Sequence, residues 1–209
     1  MRARALALAL SLAATSAFAD TDLAARARAG DPAAQVALGR LIAEGGQAPA
    51  DPAAALRWFR LAADQGSSDG LYEFALAHLR GAGVERDAAR ARALFAKAWD
   101  AGSAGGAYQL GLMDRRGLGG ATDLAASVRW LTRAAEKGHA LAQARLGVDH
   151  LEGTGTPRNA FEAYVWLKLA SQNGAPATAP QLKRAESLLD SAQIAAADLE
   201  ATRRKGVKP

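Results

Sequence analysis

The sequence predicts an all-α protein, a solenoid of stacked helix pairs, on three observations. Glycine recurs every 36 residues, at Gly30, Gly66, Gly102, Gly138 and Gly174, with no insertion or deletion between them. A second glycine stands fifteen residues into each resulting unit, at Gly45, Gly81, Gly117 and Gly153. The apolar positions between these glycines recur at helical spacing. A fixed period of this size marks a solenoid, in which each unit buries its apolar face only against its neighbours.

The elements follow in order. Residues 1–19, MRARALALALSLAATSAFA, carry Arg2 and Arg4, an apolar run from Ala5 to Ala14, and small residues Ala17 and Ala19 around Phe18. Those are the three parts of a secretory leader. Its apolar run is far short of the roughly 20 residues that cross a membrane. The expected mature chain starts at Asp20, has no membrane span, and works in the periplasm or is secreted. Residues 20–30 are read as an N-terminal capping segment with a short helix from Asp22 to Ala29.

Four 36-residue units fill 31–174: Asp31 to Gly66, Ser67 to Gly102, Ser103 to Gly138 and His139 to Gly174. Each opens with an Ala-rich segment of about three turns that ends at the second glycine. A few turn residues lead to Asp51, Asp87, Asp123 or Asn159, side chains able to accept from the free N–H groups of a new helix. Pro32 follows Asp31 and Pro52 follows Asp51, the pairing of N-cap and first turn. Asn159 with Glu162 has capping-box spacing.

The columns repeat too. Leu38, Phe74, Leu110 and Leu146 precede Gly39, Ala75, Gly111 and Gly147, a large residue to fill the space between helices and a small one to let them close. On the second helices Trp58, Leu94, Trp130 and Trp166 precede Phe59, Phe95, Leu131 and Leu167, with Ala62, Ala98, Ala134 and Ala170 one turn on. The second unit carries Trp99 five residues after Leu94, a displacement of bulk. A row of Trp could stack a ligand, but its place beside small residues favours core. Tyr72 and Tyr108 are also read as core.

These units resemble the Sel1-like repeat, a relative of the tetratricopeptide repeat. The fourth unit carries the resemblance in AQARLGVDHLEGTGTPRNAFEAYVWLKLASQNG, with Leu146, Gly147, Gly153, Gly155, Ala163, Trp166, Ala170 and Gly174 on motif positions. The third supplies Leu110, Gly111, Gly117, Gly119, Trp130, Ala134, Ala135 and Gly138. GAGVERD supplies Gly81, Gly83, Val84 and Asp87. The first keeps Leu38, Gly39, Gly45 and Asp51 but has Gln47 where the others have a second loop glycine. The family's Tyr after L-G-x-x is replaced by Ile42, His78, Asp114 and His150. The resemblance implies a right-handed α/α solenoid and a non-catalytic adaptor that binds a protein or peptide in the cell envelope. Its alternatives are a structural or assembly component of an envelope complex, and a cell-wall or β-lactam-related enzyme. The last is disfavoured because such relatives have paired cysteines and this chain has none.

Beyond the repeats, residues 175–202 are read as capping helices, one from Gln181 to Leu189 and one after Asp190, where Gln193 completes a capping-box spacing. Residues 203–209 are read as a basic flexible tail. The tail explains the charge: Lys and Arg total 26 against 21 acids. Without Arg2 and Arg4 the balance is 24 to 21, and without Arg203, Arg204, Lys205 and Lys208 it is 20 to 21. A near-neutral body argues against nucleic acid as partner.

Chemistry finds few handles. The absence of Cys excludes a disulfide framework, a thiolate nucleophile and a thiolate zinc site. The loops RGAGVE, RGLGG and EGTGT lack the Lys and the preceding strand of a phosphate cradle. There is no G-x-S-x-G or H-E-x-x-H. Three His are present. His78 and His150, two units apart at about 10 Å per stacked helix, are too far apart to share a metal. His139 is read as a solvated or capping residue. His150 with Asp149 and Glu152 is the one local constellation. No catalytic residue, metal or cofactor is assigned. The binding candidates are variable polar positions on the first helices, expected to be exposed on a concave face: Gln35, Glu73, His78, Gln109, Asp114, Arg115, Gln143, Arg145, Asp149 and His150. Charge reversal at Asp114 and Asp149 is expected to weaken binding without changing stability.

Overall fold

A computed structural model describes residues 22–45, 49–176 and 178–206. The leader at 1–19, Gln47 and residues 207–209 of the tail lie outside the described residues. What is described is an all-α solenoid built of paired helices. It divides into two compact units, the first closing at Asp87 and the second opening at Ala88.

The first unit contains α1 (residues 22–28), α2 (Pro32–Glu44), α3 (Pro52–Asp64) and α4 (Ser68–Arg80). Asp31 caps α2 as expected, its Oδ1 accepting from the N–H groups of Ala33 and Ala34 at 2.9 and 3.2 Å. Asp51 caps α3 through the Ala54 N–H at 2.9 Å. Phe59, Ala62 and Ala63 of α3 are buried with Leu71 and Phe74 of α4. Gly39 meets Phe59 as the large-small column predicts: a Cβ there would lie 2.5 Å from the ring.

The second unit contains α5 (Ala88–Asp100), α6 (Ala104–Arg116), α7 (Leu124–Glu136), α8 (Ala140–Glu152), α9 (Ala160–Gln172), α10 (Ala179–Glu186) and α11 (Ser191–Gly206). Phe95, Leu110, Met113, Leu131, Leu146, Val165 and Leu167 are fully buried. α8 packs on α9, α6 on α7, and both α10 and α11 on α9. Gly147 admits Leu167 so closely that a Cβ would fall 2.6 Å from its Cγ. Burial at this density is what gives a helix pair most of its stability.

One regularity ties each loop to the repeat before it. Gly83 lies against the backbone of Pro52, Gly119 against Ala88 and Gly155 against Leu124. Those three are the first residues of α3, α5 and α7. The second loop glycine therefore seats on the start of the preceding second helix. The first repeat, with Gln47 at this position, is preceded by α1 and not by a repeat's second helix.

Of the remaining expectations, one holds and two change. Asp190 and Gln193 do form the reciprocal capping box, at 2.8 and 3.0 Å. Residues 203–206, read as flexible tail, continue α11. They do so because Arg203 and Arg204 both reach back to Glu200 on the same helix at 2.7 Å, and Arg204 also finds a partner on α9. At Asn159 only half a box forms: its Oδ1 accepts from the Glu162 N–H at 3.0 Å, but the Glu162 side chain goes to Arg204.

Candidate functional site

The first-helix candidates divide into internal struts and accessible groups. Gln35, His78, Asp114, Gln143 and Asp149 are buried, against the expectation that this column faces solvent. Each strut has a reason. Gln35 donates to the Ala27 carbonyl at 3.2 Å and accepts from Gln65 Nε2 at 2.9 Å. Gln143, three repeats on, donates to the Ala135 carbonyl at 3.0 Å and accepts from Asn173 Nδ2 at 2.9 Å. In both repeats one amide ties the preceding helix to the end of the repeat's own second helix. His78 sits edge-on to Phe74, centroids 4.9 Å apart.

Charged candidates pair along the stack. Arg40 meets Glu73 at 2.7 Å, Arg92 meets Asp114 at 2.7 Å, and Arg115 hydrogen-bonds Asp149, with Arg145 at 3.7 Å. Asp149 is fully buried. Burial pushes its carboxyl up, opposed by Arg115 and Arg145. Charge reversal there would bury a third cation between two others, so it would cost stability, contrary to the sequence-based expectation. The constellation of His150, Asp149 and Glu152 also separates: Asp149 turns inward to Arg115 while Glu152 is exposed. Gln109, Arg115, Arg145 and His150 remain partly accessible.

The second unit instead opens a cleft of about 910 Å³ lined by α5, the end of α7, α8, α9 and the end of α11. Its apolar wall is Trp99, Trp166 and Leu169. Its charged rim is Arg133 and Lys137 from the end of α7 and Arg203, Arg204 and Lys205 from the end of α11, against the carboxylates of Glu136 and Glu162. Of the first-helix candidates, Gln143 and His150 line it.

The rings hold the cations in place. Lys137 Nζ lies 4.7 Å from the Trp99 centroid and the Arg133 guanidinium 4.4 Å from that of Trp130. Trp99 and Trp130 meet edge to face at 6.4 Å. The core reading of the Trp column thus holds fully for Trp166, which is 6% exposed. Trp99 and Trp130 bury one side against the core and turn the other to a cation. Arg204 stacks on Trp166 at 4.8 Å and grips both Glu162 oxygens at 2.8 Å.

That pairing sets the local electrostatics. Arg204 holds the Glu162 carboxyl below the usual carboxylate range. Arg203 and Arg204 pull Glu200 down to about 2. Burial pushes the His150 imidazole down, opposed by the Glu162 carboxylate. Its Nδ1 is buried with no hydrogen-bond partner among the described residues. No group of three His, Asp or Glu side chains gathers as metal ligands among those residues.

Sequence reasoning missed Trp99, Arg133, Lys137 and Arg204 as site residues. The displaced Trp99 was a signal, because a residue that breaks an otherwise fixed column has lost the column's constraint. Arg204 gave none: its partner is 42 residues away, across a Pro-containing link that breaks the period.

The comparisons with known proteins agree with this architecture. The profile of the family described as Sel1 repeat matches residues 32–67, 68–103, 104–139 and 140–174. Among solved structures, a Sel1 repeat protein from Oxalobacter formigenes is 31% identical over 79% of this chain and 48% of its own, with a TM-score of 0.69. The protective antigen c5321 of uropathogenic Escherichia coli, described as displaying an SLR fold, is 25% identical over 88% of this chain and 48% of its own, TM-score 0.51. Cysteine rich protein B of Helicobacter pylori, at 18% identity over 62% of this chain and 93% of its own, TM-score 0.51, shares the fold. This chain therefore spans about half the length of the first two. None of the curated proteins matches it. With all four units matched in phase, and with their helix pairs folded as that repeat requires, the chain belongs to the Sel1-repeat family.

Proposed function

We propose that this chain is an exported, non-catalytic module that binds a protein or peptide partner in the cell envelope. The observation that carries the reading is the cleft, a concavity of peptide size whose walls pair aromatic faces with fixed charges. Helix-pair repeats supply a rigid frame for such a surface. The leader-like residues 1–19 support export, and no described helix is long and apolar enough to cross a membrane. Gln143 and His150 join the site through the cleft; Gln109, Arg115 and Arg145 of the second unit, and separately Glu73 of the first, are the remaining partly accessible candidates.

Two measurements test the proposal. Residues 1–21 fused to a phosphatase that is active only outside the cytoplasm should give activity, and an inactive fusion of normal abundance removes the envelope assignment. Affinity capture from an envelope fraction should retain a partner on the chain and lose it on a Trp99→Ala variant of unchanged helicity. Equal capture by the two would remove the cleft from the function.

A further inference from the structure

We infer that the cleft takes an acidic peptide segment, an inference that rests on the peptide-binding reading and adds its chemical class. Five cations gather on this one concavity, Arg133 and Lys137 from the near-neutral repeats and Arg203, Arg204 and Lys205 from the basic end of the chain. Their availability differs. Arg203 and Arg204 spend their charge on Glu200 and Glu162. Arg133, Lys137 and Lys205 enter no ion pair among the described residues. Two of these three lie one turn apart at the end of α7, where helix carbonyls favour positive charge on structural grounds alone. Lys205 likewise stands in the last turn of α11; what helix ends do not explain is that two of them deliver their cations to one cleft.

The aromatic contacts make these cations more than a solvated fringe. Trp130 and Trp99 each carry one of them against a ring, which limits the conformations an anion must freeze on binding. A carboxylate at the rim gains charge-assisted hydrogen bonds from groups already positioned.

The remaining lining distinguishes a peptide from other polyanions. Asn173 gives one N–H to Gln143. Its second N–H and its carbonyl oxygen match the acceptor and donor of a peptide bond. Beside it the partly exposed Trp99, backed by the buried Trp166 and Leu169, offers an apolar wall suited to a side chain such as Leu or Phe. A sulfated glycan would use the cations but leave that wall without a partner.

The test is to pan a display library of random octapeptides against the chain and to measure the selected peptides on Arg133→Gln/Lys137→Gln and on Lys205→Gln, with helicity and melting as folding controls. Selected peptides should be enriched in Asp and Glu around one or two apolar residues. Their affinity should fall about tenfold or more on the double variant, less on Lys205→Gln, and with rising salt. Selected peptides without acidic enrichment overturn this inference and leave peptide binding standing. Acidic peptides that bind the folded double variant unchanged overturn it equally. Failure to select any peptide, or binding of a heparin oligosaccharide in place of all peptides, overturns both readings.

Discussion

Arg204 on α11 holds both carboxylate oxygens of Glu162 on α9 at 2.8 Å while its guanidinium lies 4.8 Å from the Trp166 ring. Three interactions converge on one half-buried side chain, and together they dock the end of the last helix on the last repeat. Exposed pairs are worth under about 1 kcal/mol, but a two-pronged, partly desolvated one that also stacks exceeds that. Arg204→Ala should therefore lower stability by about 1–2 kcal/mol in urea unfolding. Arg203→Ala, which removes only an exposed pair to Glu200, should change it far less. Equal effects would mean that α11 docks through its Ala face alone.

Two glycines with the same backbone sign should respond differently to alanine. Gly138 has φ +78° with nothing within 4 Å of a built Cβ. Gly155 has φ +74°, and its Cβ would fall 2.3 Å from the Leu124 carbonyl oxygen. Gly138→Ala should cost about 1–2 kcal/mol, the backbone term alone. Gly155→Ala adds an overlap with main chain that cannot rotate away, so it should cost about 3 kcal/mol or more. Calorimetric melting of the two variants decides whether the loop glycine seats the repeat.

That pairing shows what was legible in the sequence. The 36-residue period placed every repeat helix, because glycine stops and Asp or Asn caps act within a few residues of themselves. Gly147 against Leu167 was legible as a column for the same reason. The site was less so. Polar type at Asp149 and Gln143 suggested solvent, but a buried polar side chain is satisfied by partners on other helices, here Arg115 and Asn173, which no local pattern announces. The cleft needs α5, α7, α8, α9 and α11 together, and α11 lies outside the repeat.

The tryptophans separate core from rim. Trp166 is 6% exposed within the apolar cluster, so Trp166→Ala should cost about 3–5 kcal/mol. Trp130 packs against that cluster by one side only and should cost less, about 1–3 kcal/mol. Peptide affinity should follow a different order, with Trp99→Ala the most damaging because Trp99 both lines the cleft and holds Lys137. If affinity instead tracks stability across the three, the rings serve packing alone.

His139 gives the fold a pH dependence near neutrality. It caps α8 through Nδ1, which accepts from the Ala142 N–H at 3.2 Å, and it stacks on Tyr108 at 4.6 Å. An accepting Nδ1 must be unprotonated, and burial pushes the imidazole down. The folded state then binds a proton less readily than the unfolded chain. Stability is full above the ordinary His value of about 6.5 and falls as pH drops from there toward the lowered folded value. His150, pushed down by burial as well, adds in the same direction. Ser67 and Ser103 occupy the same repeat position as His139 and cap their helices without titrating. His139→Ser should therefore keep the cap, and the loss of unfolding free energy between pH 8 and pH 5.5 should shrink to the share left by His150. An unchanged slope in this variant would mean that His139 does not titrate with folding.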